Sequence, residues 1–297
     1  MPLVSICIPT YNRPAGLRHT LSCAVKQDYE NLEILVSDNG SQDSEEISNI
    51  INTYQSDPRI LFHRYPVNRG FVENFNLLIS WAKGKYIIFM PDDDDYFDPT
   101  LVRHGVKAIE SNPDASCAQG NIHYMDGEVL FVIDSPPYKL DTDRFTRLST
   151  NIRFDCTGHL MYGLVRASFL KEFRWTLERA SEIFLILHLL NKGPIVDSFQ
   201  MQYRNNYTWP AKNVESEWFK SKKNNVYRAI LYIQSLLTVD LPLIKRLWLC
   251  SLFVIYQFPF ISYAFRSIGV KRGKKYTATI YDAAPKMVKR RKRLPDF

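Results

Sequence analysis

The sequence predicts an α/β fold in which a mainly parallel, Rossmann-like sheet is flanked by helices. Short apolar runs alternate with helical patterns through the first hundred residues, and each run ends at Pro or Asp. Strand–helix–strand units of this length connect by right-handed crossovers, so the strands should be parallel. The 297 residues, 45% of them hydrophobic, suffice for one large domain or two modest ones with buried cores.

The elements of the first half follow from these patterns. Residues 3–8 form an apolar strand that ends at Pro9, and residues 14–27 form a helix with Leu17, Leu21 and Val25 on one face. The next elements are a strand at 32–37, a turn at 38–41, a helix at 45–56, a strand at 60–65, a helix at 71–82, a strand at 86–90 and a helix at 100–110. Parallel sheets bind ligands beyond the carboxyl ends of their strands. Here those ends are the polar segments 9–13, 38–41 and 92–95, which should meet at one edge.

The second half is less regular. Residues 124–131 indicate a hairpin with a turn at Asp126-Gly127, and Ser181-Glu182 begins an apolar helix that ends near residues 192–193. The polar, aromatic stretch 204–219 is typical of a loop. We therefore expect a domain at 1–210, with halves 1–110 and 111–210, followed by a helical region at 211–297 with a basic tail.

The net charge of +7 is concentrated at one end of the chain. From Arg266 to Phe297 there are eleven Lys or Arg and two Asp, which leaves a net charge of −2 for the rest. A basic tail attracts polyanions, and no known nucleic-acid module precedes it, so an anionic membrane is the favoured partner and nucleic acid is not. Residues 247–265 carry no formal charge and are aromatic and apolar. They could span a membrane, lie on it or belong to the core, and their basic flanks favour lying on it.

The five cysteines are Cys7, Cys23, Cys117, Cys156 and Cys250. They are odd in number and have no C-x-x-C spacing, which argues against a disulfide framework and against a zinc site. The first residues lack a basic segment and a cleavage site, so we expect no secretory signal and a cytoplasmic protein.

Four consecutive aspartates, residues 92–95, follow the apolar strand at 86–90. Like charges in a row need a counter-charge or full solvation, and Mg²⁺ or Mn²⁺ with a bound diphosphate would supply the counter-charge. A solvated acidic turn is the alternative, which the position at a strand end disfavours. An EF-hand loop does not fit, because Phe97 stands where the turn glycine belongs. The chain also lacks the glycine-rich dinucleotide and P-loop motifs.

Four motifs in order resemble the family 2 glycosyltransferases. They are VSICIPTYNR at 4–13, VSDNGSQD at 36–43, NRG at 68–70 with Asn74, and AKGKYIIF at 82–89 before the acidic cluster. The resemblance covers residues 3–110 and implies a GT-A fold, a nucleotide-diphospho-sugar donor, Mn²⁺ or Mg²⁺, and inversion at the anomeric carbon. Residues 1–110 would then bind the donor, and residues 111–210 the acceptor.

The resemblance also implies roles for individual residues. Pro9, Thr10 and Tyr11 would line the nucleoside pocket, with simple strand termination as the alternative for the first two. Asp38 would bind the base, or form an Asx turn.

Within the acidic cluster, the position of Pro99 favours Asp93 near the ribose and Asp94 on the metal. Asp92 is a third candidate. Asp95 would be solvated or cap the following helix. Arg13 and Arg69 would meet phosphate or be surface charges.

Inverting transfer needs a carboxylate that deprotonates the acceptor hydroxyl. The family often places this base at the start of a helix some ninety residues after the metal site, where this chain has Glu182. The family usually has Asp there, and a glutamate in a first helical turn also complements the helix dipole. Asp155 and Asp197 are the reserve candidates.

The resulting expectation is an inverting enzyme that transfers single sugars. The segment at 200–205 does not supply the Q-x-x-R-W motif of processive members. The acceptor would be a lipid-linked glycan of surface polysaccharide synthesis, with residues 245–297 holding the enzyme at the inner face of the cell membrane. The alternatives are a nucleotidyltransferase, which usually has a glycine-rich basic loop that residues 9–13 lack, and a non-catalytic sugar-nucleotide-binding or membrane-docking protein.

Overall fold

The computed structural model describes residues 1–126, 129–133, 143–154, 162–173, 182–206 and 222–257. The strands are β1 (Val4–Thr10), β2 (Leu32–Asp38), β3 (Ile60–Arg64), β4 (Tyr86–Phe89), β5 (Asp94–Asp95), β6 (Cys117–Asp126), β7 (Val129–Ile133), β8 (Leu164–Arg166) and β9 (Ile195–Asn206). The helices are α1 (Pro14–Val25), α2 (Ser44–Asn52), α3 (Gly70–Trp81), α4 (Leu101–Glu110), α5 (Arg144–Phe154), α6 (Ala167–Glu172), α7 (Glu182–Lys192), α8 (Lys222–Leu237) and α9 (Leu243–Gln257).

All nine strands form one mixed sheet in the order β3-β2-β1-β4-β8-β6-β9-β5, with β7 paired to β6. Strands β1 to β4 are parallel, as the crossover pattern predicts. Strand β8 is antiparallel to both β4 and β6, and β9 is parallel to β6. Strands β6 and β9 therefore run in the same direction as β1 to β4. Their carboxyl ends lie at one edge of the sheet, which we call the carboxyl edge.

Helices cover both faces of the sheet because buried side chains alternate along its strands. In β1, Ile6 and Ile8 pack with α1, α2 and α4, whereas Cys7 packs on the other face with α3 and α7. The second cluster continues into the C-terminal helices, where Tyr232 and Phe253 stack with ring centroids 4.2 Å apart. Helices α8 and α9 thus share a core with the second half of the sheet.

The order of the predicted elements is confirmed, while several boundaries shift. Helix α1 ends at Val25 rather than at residue 27, and α2 ends at Asn52 rather than at residue 56. The pairing of Asp126 with Val129 confirms the hairpin, whose turn at 127–128 lies outside the described residues. Helix α7 occupies the predicted position.

The prediction of a loop from residue 204 onward is wrong for its first residues. Arg204 and Asn205 belong to β9 and pair with Asp95 and Asp94 of β5. These polar residues are in a strand because partners distant in the chain supply the backbone hydrogen bonds, which no local pattern reveals. Strand β9 also bulges, since the four residues between Asp197 and Gln202 lie opposite a single residue of β6, Gly120.

The membrane candidate at 247–265 is partly described. Its first residues form the end of α9, and residues 258–297, including the basic tail, lie outside the described part. Among the described helices, none has both the length and the hydropathy that a membrane crossing requires. The domain division near residue 210 remains a prediction.

At the opposite edge of the sheet, a buried glutamate fixes the turn between α3 and β4. Glu33 Oε1 accepts hydrogen bonds from Ser5 Oγ at 2.5 Å, from Lys83 N at 2.6 Å and from Gly84 N at 3.1 Å. Gly84 cannot carry a side chain, since a Cβ there would lie 2.6 Å from Ser5 Oγ. One carboxylate thus joins β1, β2 and the turn before β4.

We expect Glu33→Ala to lower the free energy of unfolding by about 1–3 kcal/mol, because buried N–H groups would lose their acceptor. Urea denaturation measures this. Glu30→Ala, at an exposed position just before β2, is the control and should change stability by less than about 0.5 kcal/mol. Equal stabilities of the two variants would show that Glu33 is not an anchor.

Candidate active site

The acidic cluster, residues 92–95, lies at the carboxyl edge just beyond β4. Because β1 is the parallel neighbour of β4, the end of β1 lies beside this cluster. The last two aspartates form β5, which pairs with the end of β9. Asp94 and Asp95 are therefore held on a backbone that is paired with the second half of the sheet.

Asp92 is bound by the last residue of β1 and by a residue that follows this strand. Its residue surface is 4% exposed, and Thr10 Oγ1 donates a hydrogen bond of 2.6 Å to its Oδ2. Arg13 Nη1 lies 3.2 Å from Asp92 Oδ1 and 2.9 Å from Asp93 Oδ2. Burial raises the pKa of Asp92 to about 6, although the Thr10 hydrogen bond and the Arg13 charge act in the opposite direction.

Arg13 supplies counter-charge that the sequence alone would assign to a metal ion. Burial acts to lower the pKa of Arg13, but the charges of Asp92 and Asp93 outweigh burial and raise it. Pro14 starts α1 directly after Arg13, so the helix begins where the ion pair forms. One guanidinium beside four aspartates still leaves an excess of acidic groups.

The remaining aspartates differ in their exposure. The side chain of Asp93 is 43% exposed, whereas Asp94 is buried. Asp95 Oδ1 lies 2.8 Å from His19 Nε2 of α1, and its side chain is mostly buried. Helix α4 has Thr100 as its N-cap residue. The expectation that Asp95 is solvated or caps that helix is therefore wrong, because α1 provides a partner for it.

Asp38, at the end of β2, is fully buried and bound on both oxygens. Ser41 donates to Oδ1 from its backbone N at 3.0 Å and from its Oγ at 2.6 Å, as in an Asx turn. Arg64 Nε lies 2.6 Å from Oδ2, since Asp38 and Arg64 are opposite each other in the pairing of β2 with β3. The sequence reasoning missed Arg64, which only the strand register could have indicated.

Three asparagines join the loops that follow β1, β2 and β3. Asn12, with a φ of +53°, donates from its N to Ser41 Oγ, and its Oδ1 accepts from Gln42 N. Asn39 Nδ2 donates to Asn68 Oδ1, and Asn39 Oδ1 accepts from the backbone N of Arg69. The loops thus form one framework, and their Asn-rich composition is the signal that could have indicated it.

Gly40 allows two of these loops to touch. Its φ is +77°, and a Cβ at this position would lie 2.6 Å from the carbonyl carbon of Val67. Only glycine combines this conformation with such a close backbone approach. Around this contact, Pro9 is buried in β1, whereas Tyr11 and Arg69 are exposed at the carboxyl edge.

Two of the three candidate bases, Glu182 and Asp197, are among the described residues. Glu182 is the first residue of α7, which leads into the amino end of β9. Helix α7 has eleven residues, so Glu182 lies about 16 Å along the helix from the end that leads into β9. Asp155 lies outside the described residues.

Asp197 is misplaced for the reserve role. It pairs with Gln119, whereas Asn205, the partner of Asp94, pairs with Tyr124. Five residues of β6 separate these two positions, or about 17 Å of strand. A carboxylate that far from the acidic cluster cannot reach a hydroxyl reacting beside it.

The family model that matches the chain is "Glycosyl transferase family 2", over residues 5–168. A curated relative is the GalNAc(5)-diNAcBac-PP-undecaprenol beta-1,3-glucosyltransferase of Campylobacter jejuni, 32% identical over 114 residues, which are 37% of this chain and 36% of the relative. The chain matches 37% or less of the length of the first curated relatives.

Two solved structures are similar over nearly the whole chain. Staphylococcus aureus TarS 1–349 in complex with UDP-GlcNAc has a TM-score of 0.67 at 17% identity, covering 97% of this chain and 79% of TarS. The mannosyltransferase PcManGT of Pyrobaculum calidifontis, in complex with GDP-Man and Mn²⁺, has a TM-score of 0.59 at 12% identity, covering 97% and 81%. These similarities confirm the expected GT-A fold. Since the family model spans more than half of the residues, the chain belongs to glycosyl transferase family 2.

Proposed function

We propose that this protein transfers one sugar, with inversion, from a nucleotide-diphospho-sugar to a hydroxyl of a lipid-linked glycan. The observation that carries the proposal is the partly buried acidic cluster at the carboxyl edge, bound by Thr10 and Arg13. It combines carboxylates for a metal and the ribose with cations for a diphosphate, beside a framework of rigid loops. The UDP-GlcNAc complex of TarS supports a nucleotide-sugar donor.

The donor would lie along the loops after β1, β2 and β4. Pro9, Thr10 and Tyr11 would line the nucleoside pocket, and the exposed carboxylate of Asp93 would bind the ribose. Asp38 would bind the base. Because Ser41 and Arg64 already occupy its oxygens, a base N–H would have to share or replace one of those contacts.

The diphosphate needs positive charge, and Arg13 and Arg69 lie at the right edge to supply it. Arg13 already bridges two aspartates, so it would exchange part of that contact for phosphate oxygens. Arg69 is exposed at the start of α3, where the N–H groups of the first helical turn also favour an anion.

The carboxylates fit a divalent metal. Hard oxygen ligands suit Mg²⁺ and Mn²⁺, and the excess of acidic groups beside Arg13 favours a cation. Asp94 would be the principal ligand, with Asp92 as a second. When bound, the metal would neutralise the charge of the departing nucleoside diphosphate. The Mn²⁺ complex of PcManGT supports this assignment.

Glu182 is our proposed general base. Its carboxylate would take the proton of the acceptor hydroxyl while that oxygen attacks the anomeric carbon from the face opposite the diphosphate. The place of Glu182 at the start of α7, on the half of the molecule expected to bind the acceptor, supports this role. Asp155 remains the reserve base.

Helix α9 supports a membrane-bound acceptor. Its residues Leu243, Ile244, Leu247 and Trp248 are exposed on one face, while Leu249, Leu252 and Phe253 are buried. We call the exposed face the α9 stripe; Lys245 and Arg246 lie next to it. An exposed apolar face with neighbouring cations and a basic tail suits an anionic lipid surface.

We therefore place the protein at the cytoplasmic face of the membrane, held by residues 245–297. A search restricted to the membrane surface would bring it to lipid-linked saccharides of surface polysaccharide synthesis. The undecaprenol-linked substrate in the name of the Campylobacter relative supports this acceptor class.

Asp94→Asn should abolish metal-dependent donor binding. In a thermal-shift panel of UDP-, GDP-, CDP- and dTDP-sugars with Mn²⁺, the correct nucleotide should raise the Tm of the wild type, since ligand at 100 times its Kd adds about 2.7 kcal/mol of stability. The variant should lose that rise. Asp114→Asn, at an exposed position, should keep it. A metal-dependent rise in Asp94→Asn would contradict the assignment.

Glu182→Gln should reduce the transfer rate by about 10²–10⁴-fold and leave donor binding unchanged, because only proton removal is lost. Radiolabelled sugar transfer to membrane extracts measures the rate. The exposed Glu172→Gln variant should transfer at the wild-type rate. An active Glu182→Gln enzyme would exclude Glu182 as base. A wild type that binds donor but neither transfers nor hydrolyses it would favour a binding protein.

Removing residues 258–297, or combining Ile244→Glu with Trp248→Glu, should each lower flotation with anionic liposomes by at least about tenfold. Truncation before α9 is unsuitable, because it would remove the buried Leu249, Leu252 and Phe253. Leu61→Glu, an exposed apolar position on the edge strand β3, is the control for added charge and should float like the wild type. Equal flotation of all forms would refute the membrane proposal.

A further inference from the structure

A second group of possible metal ligands includes Asp95, the last member of the acidic cluster. It consists of His19 and Cys23 on α1 and Asp95 on β5, and each residue offers one ligand atom within 4.8 Å of the others. We call it the His19 cluster. The role proposed for the acidic cluster uses none of these three side chains.

The spacing of the cluster follows from helix geometry. His19 and Cys23 are four residues apart, so their side chains lie on the same face of α1, one turn apart. That face meets β5, and Asp95 Oδ1 lies 2.8 Å from His19 Nε2, which is itself 3.7 Å from Cys23 Sγ. Two elements that are distant in sequence thus bring a nitrogen, a sulfur and an oxygen together.

These separations suit a tetrahedral metal. With bonds of about 2.0–2.1 Å to nitrogen, 2.0–2.2 Å to oxygen and 2.3 Å to sulfur, neighbouring ligands are about 3.3–3.7 Å apart. The nitrogen–sulfur pair already has this distance. The nitrogen and oxygen must move about half an ångström further apart to reach this range. A rotation of the partly exposed His19 ring could supply that movement.

The ligand set also selects the metal. Thiolate and imidazole suit Zn²⁺, whereas Mg²⁺ and Mn²⁺ prefer oxygen alone. We propose that His19, Cys23 and Asp95 form a Zn²⁺ site, with water as the fourth ligand, separate from the metal site at Asp94. Zinc binding would release the thiol proton of Cys23 to solvent.

The consequence would be a clamp between α1 and the acidic cluster. Asp95 directly follows Asp94, and α1 starts next to Arg13, so a metal at the His19 cluster would fix both sides of the donor site. The His19 side chain is 43% exposed, which leaves an entry path for the ion. A zinc site at these residues runs against the expectation of no zinc site from the cysteine spacing, since a single His-x₃-Cys pair lacks the paired cysteines of common zinc motifs.

Cobalt substitution tests the proposal with the full-length, metal-stripped protein. Co²⁺ bound through a thiolate gives an intense near-ultraviolet charge-transfer band, which oxygen ligands do not produce. We expect one equivalent of Co²⁺ to give this band in the wild type. Added Zn²⁺ should displace the Co²⁺ and so abolish the band. Cys23→Ser should lose the band, whereas Cys250→Ser, a partly buried cysteine of α9, should retain it.

Two further variants complete the test. In competition with a chromophoric chelator, His19→Asn should weaken Zn²⁺ binding at least tenfold. Asp94→Asn should keep both the cobalt band and the zinc affinity, even though it loses metal-dependent donor binding. The proposal is overturned if the wild type gives no band, if Cys23→Ser keeps it, if His19→Asn weakens binding less than tenfold, or if Asp94→Asn abolishes the band. The donor-site proposal does not depend on any of these outcomes.

Discussion

The contact of Asp92 with Thr10 and Arg13 is the interaction on which the rest of the site depends. Four aspartates in a row repel one another, and neighbouring elements offset part of that repulsion, since Arg13 contacts Asp92 and Asp93 while His19 contacts Asp95. The pairing of β1 with β4 brings Thr10 and Arg13 to the cluster. Helix α1 then brings His19 to its last member. The pairing of strands in the parallel sheet, rather than the local sequence of residues 92–95, therefore brings these contacts together.

Much of the first half could be predicted from the sequence because its signals are local. An apolar run that stops at Pro or Asp, followed by a helical period, indicates both the strand and its carboxyl end. The edge where ligands bind follows from the parallel order alone. Helix α2 was predicted too long, since polar residues after Asn52 fit a helix and a turn equally well.

The features that the sequence could not predict are contacts between distant segments. The ion pair of Asp38 with Arg64 depends on the register of β2 and β3, and the strand at Arg204 and Asn205 depends on β5. Asp197 was chosen for its carboxylate and its place in the chain, but the sheet puts it far from the acidic cluster. Residue type and spacing identify the chemistry of a site, while tertiary pairing decides which residues can take part in it.

The bulge of β9 limits how this fold can change. Four residues of β9 lie opposite one of β6, and only beyond that irregularity does β9 reach the backbone of Asp94 and Asp95. Side chains alternate between the faces of a strand, so gaining or losing a single residue between the bulge and Asn206 would invert every position from there to the end of the strand. We infer that evolution can exchange amino acids there far more freely than it can alter the length of the segment.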